Sequence, residues 1–139
     1  MKILLLFLLL FSTIKAEVYV VIIAKSCDGI NTLNLKEIYL KKQKSNSNCT
    51  LVPLNFQANN KIREIFVQNQ LNISNSKWSR YWDKMHFKGV KAPYIVSSNE
   101  AMLAYITQVP GAIGYLPKAI VQNSTHHHSL QIVSQFQSH

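Results

Sequence analysis

The stretch VPGAIGYL, residues 109–116, holds two of the chain's four glycines. Pro110 and Gly111 are typical of a helix end, because glycine readily adopts the left-handed conformation that follows a last helical turn. The apolar run behind them predicts a short buried strand. Gly114, inside that strand, indicates that another group approaches the backbone closely, and a packed helix explains this better than a ligand or a large aromatic ring does.

Strands and helices alternate on both sides of this stretch. Residues 17–24 (EVYVVIIA) are almost all apolar and rich in β-branched side chains, as in a parallel strand buried on both faces. Residues 50–56, 93–98, 112–116 and 129–135 predict further strands. Apolar residues at helical spacing predict helices between most of them. The pattern predicts an α/β domain of three layers, with a mostly parallel sheet and helices on both faces.

Capping residues mark the predicted helix starts. These residues are Asn34 (with Glu37 as its capping-box partner), Asn59 or Asn60, Ser74 or Asn75, and Ser97 (with Glu100). The third helix carries an apolar stripe, which we assign to the core rather than to a cofactor or sugar platform. Its members are Trp78, Tyr81, Trp82 and Met85.

Residues 1–16 have the pattern of a secretory signal peptide. Lys2 precedes the apolar run of residues 3–11, which is too short to span a bilayer comfortably, and Ala16 offers a small residue before a cut. An uncleaved membrane anchor is the alternative. Cleavage near Ala16 would leave residues 17–139 as one domain, periplasmic or secreted.

The chain is basic, with a formal net charge of +9. Loss of Lys2 and Lys15 with the signal peptide leaves 13 basic and six acidic residues, a net charge of about +7. Such a charge favours anions or an anionic surface, although a solvated basic face is the commoner explanation. We do not expect a nucleic-acid partner, because the lysines are scattered and no nucleic-acid motif occurs.

Cys27 and Cys49 are the only cysteines, and an exported protein can form a disulfide. Cys27 follows the first predicted strand and Cys49 precedes the second. If these strands are parallel, the two residues lie at opposite ends of the sheet, beyond the reach of a disulfide. The predicted fold therefore disfavours a bridge without excluding it.

Four segments resemble, in order, motifs of the phosphate-type periplasmic substrate-binding proteins. They are LNLKEIYLKK (33–42), VPLNFQANNKIREIF (52–66), YWDKMHFKG (81–89) and YIVSSNEAMLAYITQVPGAIGYL (94–116). The resemblance covers residues 17–120. It implies one lobe of that family's fold, and an exported protein that binds phosphate or a similar oxyanion and feeds an ABC transporter.

The resemblance also implies where the anion binds. That family holds its anion with hydroxyls, helix N-terminal N–H groups and an arginine, which suits the chemistry of oxyanions. In the motif S-G-T-R-x-x-F, Arg63 and Phe66 match, whereas Asn60, Lys61 and Ile62 replace the Ser, Gly and Thr. The candidate ligands are Ser26, Asn59, Asn60, Arg63, Ser97 and Ser98.

Two departures favour a second hypothesis, a periplasmic interaction or assembly module that kept the fold without the ligand. Asn60 and Ile62 lack the hydroxyls of the motif. Family members have two lobes, whereas residues 17–139 suffice for one. A homodimer is one way to complete a cleft, and weak anion binding or another protein contact are the others.

We find no residue pattern of an enzyme and no motif for a cofactor. No catalytic combination of Ser, His and Asp, no Cys–His pair and no pair of carboxylates occurs at a catalytic spacing. His126–His128, with His86 or His139, would be needed for a metal-binding accessory protein. Adjacent residues of one loop rarely all point at one ion, so we expect a solvated loop and no metal site.

Overall fold

The computed structural model describes residues 16–27, 29–31, 34–46 and 48–138. Apart from Ala16, the predicted signal peptide lies outside these residues and stays a prediction. Within the described ranges, no helix is long and apolar enough to cross a membrane.

The predicted strands and helices occur in the predicted order, with shifts at their ends. A two-residue strand at Ser45–Asn46, a helix at Lys118–Gln122 and a 3₁₀ turn at His127–Ser129 are additional to the prediction. The described elements are β1 (Val18–Ala24), α1 (Leu35–Tyr39), β2 (Ser45–Asn46), β3 (Cys49–Thr50), β4 (Val52–Phe56), α2 (Lys61–Asn69), α3 (Asn75–Phe87), β5 (Tyr94–Val96), α4 (Asn99–Gln108), β6 (Ala112–Pro117), α5 (Lys118–Gln122), a 3₁₀ turn (His127–Ser129) and β7 (Leu130–Gln137). The strand predicted over residues 50–56 is divided: β3 pairs with β2 in a small hairpin, and β4 enters the main sheet.

The main sheet has the order β5-β4-β6-β1-β7. Strands β5, β4 and β6 are parallel, whereas β1 is antiparallel to both β6 and β7. Four of the five strands therefore run in one direction, and the prediction of a mostly parallel sheet is confirmed. The direction expected for β1 is wrong: its burial on both faces is correct, but it runs against its neighbours.

The direction of β1 brings the two cysteines together. Because β1 runs opposite to β4, the carboxyl end of β1 and the amino end of β4 lie at the same edge of the sheet. Cys27 and Cys49 form a disulfide there, with their Cα atoms 5.7 Å apart. The expectation against a bridge was wrong, because it assumed that the two strands were parallel.

Neighbouring residues of β6 show that helices cover both faces of the sheet. A Cβ atom on Gly114 would meet Met102 and Ile106 of α4, which confirms that a packed helix explains this glycine. The next residue, Tyr115, points to the other face and stacks on Phe66 of α2, with ring centroids 4.0 Å apart. The three-layer α/β architecture is confirmed.

Two of the four predicted helix caps are present. The side chains of Asn60 and Ser74 accept hydrogen bonds from the first turns of α2 and α3. The cap of α4 is Ser98 rather than Ser97, since Ser98 Oγ accepts from the N–H of Ala101. Asn34 stands before α1 but accepts from the N–H of Asn31, so its predicted capping bond is absent.

Candidate anion site at the carboxyl edge of the sheet

Five of the six candidate ligands lie at one edge of the sheet. Strands β4 and β5 are parallel neighbours, with Phe56 opposite Val96, so their carboxyl ends lie side by side. Helix α2 begins just after β4, and α4 begins just after β5. The chain topology thus brings the segment with Asn59, Asn60 and Arg63 to the edge that also carries Ser97 and Ser98. Ser26 lies at the opposite edge, because it follows the antiparallel strand β1.

The capping residues already use one hydrogen-bonding atom each. Asn60 Oδ1 accepts from the N–H of Ile62 at 2.8 Å, and Ser98 Oγ accepts from that of Ala101 at 3.0 Å. The groups that remain for an anion are the Asn60 amide N–H₂ and the Ser98 hydroxyl proton, both donors. Asn59 and Ser97 are exposed.

Arg63 is the half-buried cation of this edge. Its Nη1 atom donates to the carbonyl oxygen of Phe56 at 2.8 Å, which ties the guanidinium to the end of β4. Burial lowers the pKa of Arg63, and no carboxylate among the described residues offsets this shift. A guanidinium has five N–H donors, so most of them stay available for an acceptor.

A cavity of about 180 Å³ lies beside Arg63, between β4, β5 and α3. One of its lining residues is Asn55, a β4 side chain that is 1% exposed. Asn55 Oδ1 accepts from the N–H of Phe56 at 3.1 Å and from the Tyr115 hydroxyl. Its Nδ2 atom donates to none of the described residues.

Trp82 of α3 lines the same cavity. It is 8% exposed, and its Nε1 atom is buried without a hydrogen-bond partner among the described residues. A buried donor without an acceptor costs about 1–3 kcal/mol, so native proteins rarely retain one. Asp83, the following residue, also lines the cavity and is exposed.

Sequence reasoning missed Asn55 and Trp82. The signal for Asn55 was a lone amide within the apolar strand sequence VPLNF, where a polar residue has to find partners. Trp82 belongs to the stripe that was assigned to the core, and it is indeed buried with Trp78. Its unpaired N–H depends on how α3 packs and has no signature in the residue pattern.

The other chemistry considered is not assembled in the described residues. No group of three His, Cys, Asp or Glu side chains in the described part of the chain is placed to hold a metal. His127 and His128 are exposed with ring centroids 3.7 Å apart, and His127 Nδ1 lies 2.8 Å from the carbonyl oxygen of Ser124.

The fold is similar to those of two solved structures. The chain is similar to an ABC-type phosphate transport receptor from Vibrio cholerae (TM-score 0.59, 11% identity) and to PstS from Borrelia burgdorferi (TM-score 0.61, 14% identity). The chain has the fold of one lobe of a PstS-like periplasmic binding protein. In each comparison 86% of this chain is covered, against 46% and 48% of the neighbours. The chain thus spans about half their length.

The similarity is one of fold alone at these identities. No protein-family model matches the chain, and no curated protein matches it. Membership of the phosphate-type family therefore stays a prediction, and function has to be argued from the site.

Proposed function

We propose that this protein is an exported oxyanion-binding lobe and that it holds phosphate or a similar anion at the carboxyl edge of its sheet. The observation that carries the proposal is Arg63, a half-buried guanidinium without a carboxylate partner among the described residues. It lies beside a cavity that is also lined by Asn55, whose Nδ2 atom donates to none of those residues. An oxyanion would accept hydrogen bonds from both.

The two helix starts at this edge add to the positive potential. The first N–H groups of a helix lack intrahelical acceptors, and the helix dipole places partial positive charge there. Helices α2 and α4 both begin at this edge, and Lys61 adds a further cation at the start of α2. These features support an anion rather than a neutral ligand.

Asp83 favours an oxyanion that carries a proton. A carboxylate accepts a hydrogen bond from a ligand hydroxyl but repels a ligand that has only bare anionic oxygens. Phosphate keeps a proton near neutral pH, whereas sulfate does not. We therefore propose that the site prefers phosphate to sulfate.

The wider role follows from the neighbours and from the predicted signal peptide. One neighbour is described as an ABC-type phosphate transport receptor, and the other as PstS. We propose that this chain is periplasmic or secreted and that it delivers its anion to a membrane transporter. Because it spans half of a two-lobed receptor, a second copy of the chain is one candidate to cover the open side of the cavity.

The alternative is an interaction module that kept the fold. It is favoured by β5, the edge strand, whose neighbouring residues Tyr94 and Ile95 point to opposite faces and are 61% and 52% exposed. Large apolar side chains exposed on both faces of a strand are typical of a protein contact.

Calorimetric titration of residues 17–139 with phosphate and with sulfate tests the proposal; every described strand and helix lies within this range. We expect saturable phosphate binding that Arg63→Ala weakens by about tenfold to a hundredfold, the equivalent of 1.5–3 kcal/mol for a charge-assisted hydrogen bond. Arg80→Ala is the control, since Arg80 is an exposed arginine on α3 outside the cavity. Asp83→Asn should lower the ratio of the phosphate affinity to the sulfate affinity.

Two results would contradict the proposal. One is an absence of saturable heat with both anions. The other is equal weakening by Arg63→Ala and Arg80→Ala, which would assign the heat to the net charge of the chain. In either case the alternative hypothesis of an interaction module would be favoured. Its first test is whether Ile95→Asp abolishes binding to a partner protein while the fold is retained.

A further inference from the structure

A second cavity, of about 390 Å³, lies at the other edge of the sheet. It is formed where the carboxyl end of α1, the amino end of β4 and the turn after α3 meet. Its buried side is apolar and consists of Ile38, Leu51 and Pro53. Lys41 and Lys44 line its outer side, and no Asp or Glu among the described residues lines it. The cavity thus combines an apolar interior with two unneutralised cations.

The charges at this cavity repel one another. Burial, and then the positive charges of Lys44 and Lys91, lower the pKa of Lys41, and no carboxylate of the described residues opposes the shift. Ammonium groups gathered without a counter-ion destabilise the folded chain slightly, and an anion placed among them would remove that cost.

Lys41 also has an unusual backbone conformation. Its φ is +56°, in the left-handed region that favours glycine after a helix end. The N–H of Lys41 donates to the carbonyl oxygen of Ile38 at 3.0 Å, and the N–H of Lys42 donates to the carbonyl oxygen of Glu37. These last carbonyl groups of α1 therefore have hydrogen-bond donors without any help from the Lys41 side chain. Glycine would satisfy the same backbone with less strain. The lysine therefore contributes a side chain at the cavity rather than a better helix end.

We propose that this cavity binds a small organic anion, whose apolar body contacts Ile38, Leu51 and Pro53 and whose anionic group lies between Lys41 and Lys44. The cavity is as large as the smaller ligand sites of proteins, which are mostly apolar with a few polar groups. The site lies beside the amino end of β4, whereas Arg63 lies at the carboxyl end. It is separate from the proposed oxyanion site and does not depend on it.

The probe for this site is 8-anilinonaphthalene-1-sulfonate, an aromatic sulfonate whose fluorescence rises on binding. We expect Lys41→Gly and Lys44→Gln each to weaken its binding by about tenfold. Lys41→Gly relieves backbone strain, so weaker binding cannot be attributed to a weakened fold. Lys118→Gln is the control. It makes the same change in net charge on α5, where the Nζ atom of Lys118 donates to the exposed Gln135.

The position of the bound probe is checked by amide chemical shifts. We expect changes at Gln43, Gly89 and Val90, which line the cavity, and unchanged affinity in Arg63→Ala. Equal weakening by Lys118→Gln, unchanged binding in both cavity variants, or shifts centred on Arg63 would each overturn the proposal. Phosphate binding and its loss in Arg63→Ala test the oxyanion site alone. Failure of the proposed oxyanion site is therefore distinguishable from failure of the cavity at Lys41 and Lys44.

A free organic acid and an anionic lipid headgroup share this chemistry. Co-sedimentation with phosphatidylglycerol vesicles separates the two sources. Co-sedimentation that Lys41→Gly and Lys44→Gln abolish assigns the site to a lipid. Binding of the soluble sulfonate without co-sedimentation assigns it to a free acid.

Discussion

Single residues at close backbone contacts determine how the segments of this protein meet. Gly111 has a φ of +84°, and a Cβ atom there would lie 1.9 Å from the carbonyl oxygen of Thr50. The carbonyl of Gly111 in turn accepts from the N–H of Val52 at 2.9 Å. The helix-to-strand reversal after α4 thus lies directly against the segment that leads into β4, and no side chain fits between them.

Gly111→Ala should therefore lower the free energy of unfolding by more than the strain of a left-handed alanine alone would. Left-handed strain accounts for about 1 kcal/mol, and the clash with a backbone atom should raise the total loss to about 3 kcal/mol or more. Urea unfolding measures it. Gly89→Ala is the matched control, because Gly89 has a φ of +78° with nothing within 4 Å of its added Cβ. Equal losses in the two variants would show that Thr50 moves away freely.

Between elements, the main contact on one face of the sheet is that of α4 with β6. Gly114 allows α4 to approach, and Met102 and Ile106 are fully buried against it. The capping hydrogen bond of Ser98 lies at the start of α4, and the reversal at Gly111 connects the end of α4 to β6. Sequence periodicity identified both elements and the inward face of α4, and Gly114 indicated a close approach to the strand.

A double-mutant cycle tests this contact. A Cβ on Gly114 would lie 2.4 Å from Met102 Sδ, so Gly114→Ala overpacks the interface and should cost about 1–3 kcal/mol. Met102→Ala leaves a cavity and should cost about 2–5 kcal/mol. In the double variant the new methyl group occupies part of that space, so the loss should be smaller than the sum. Additive losses of free energy of unfolding would contradict direct packing.

For the whole molecule, the direction of β1 is the decisive feature. It places Cys27 and Cys49 at one edge and so allows the disulfide that joins the loop after β1 to the hairpin β2–β3. It also separates Ser26 from the other candidate ligands, and it leaves β4, β5, α2 and α4 to form the carboxyl edge with Arg63.

Loss of the disulfide should therefore lower the stability of the whole domain. The bond closes a loop with a sequence separation of 22, for which chain entropy gives about 3 kcal/mol. The double variant Cys27→Ala/Cys49→Ala should show this loss in urea unfolding, and alkylation of the unfolded, unreduced protein should modify neither cysteine. Two reactive thiols in that assay would contradict the bridge.

Local sequence determined the elements, because strand and helix patterns depend on neighbours a few residues away. The apolar run of β1, the candidate caps at Asn59 or Asn60 and at Ser74 or Asn75, and the glycine at 111 were all visible before the fold. The α/β class followed from their order. The candidate ligands came from the resemblance to the phosphate-type family, and the parallel pairing of β4 and β5 places five of them at one edge of the sheet.

Features that depend on pairing between distant segments were determined by the tertiary structure alone. The residue pattern of β1 is the same for either strand direction, so neither the disulfide nor the place of Ser26 could be derived from it. The unused Nδ2 of Asn55 and the unpaired Nε1 of Trp82 exist only because β4 and α3 pack where they do. A hydrogen bond that is missing is a property of packed surroundings, and those surroundings come from segments far apart in the chain.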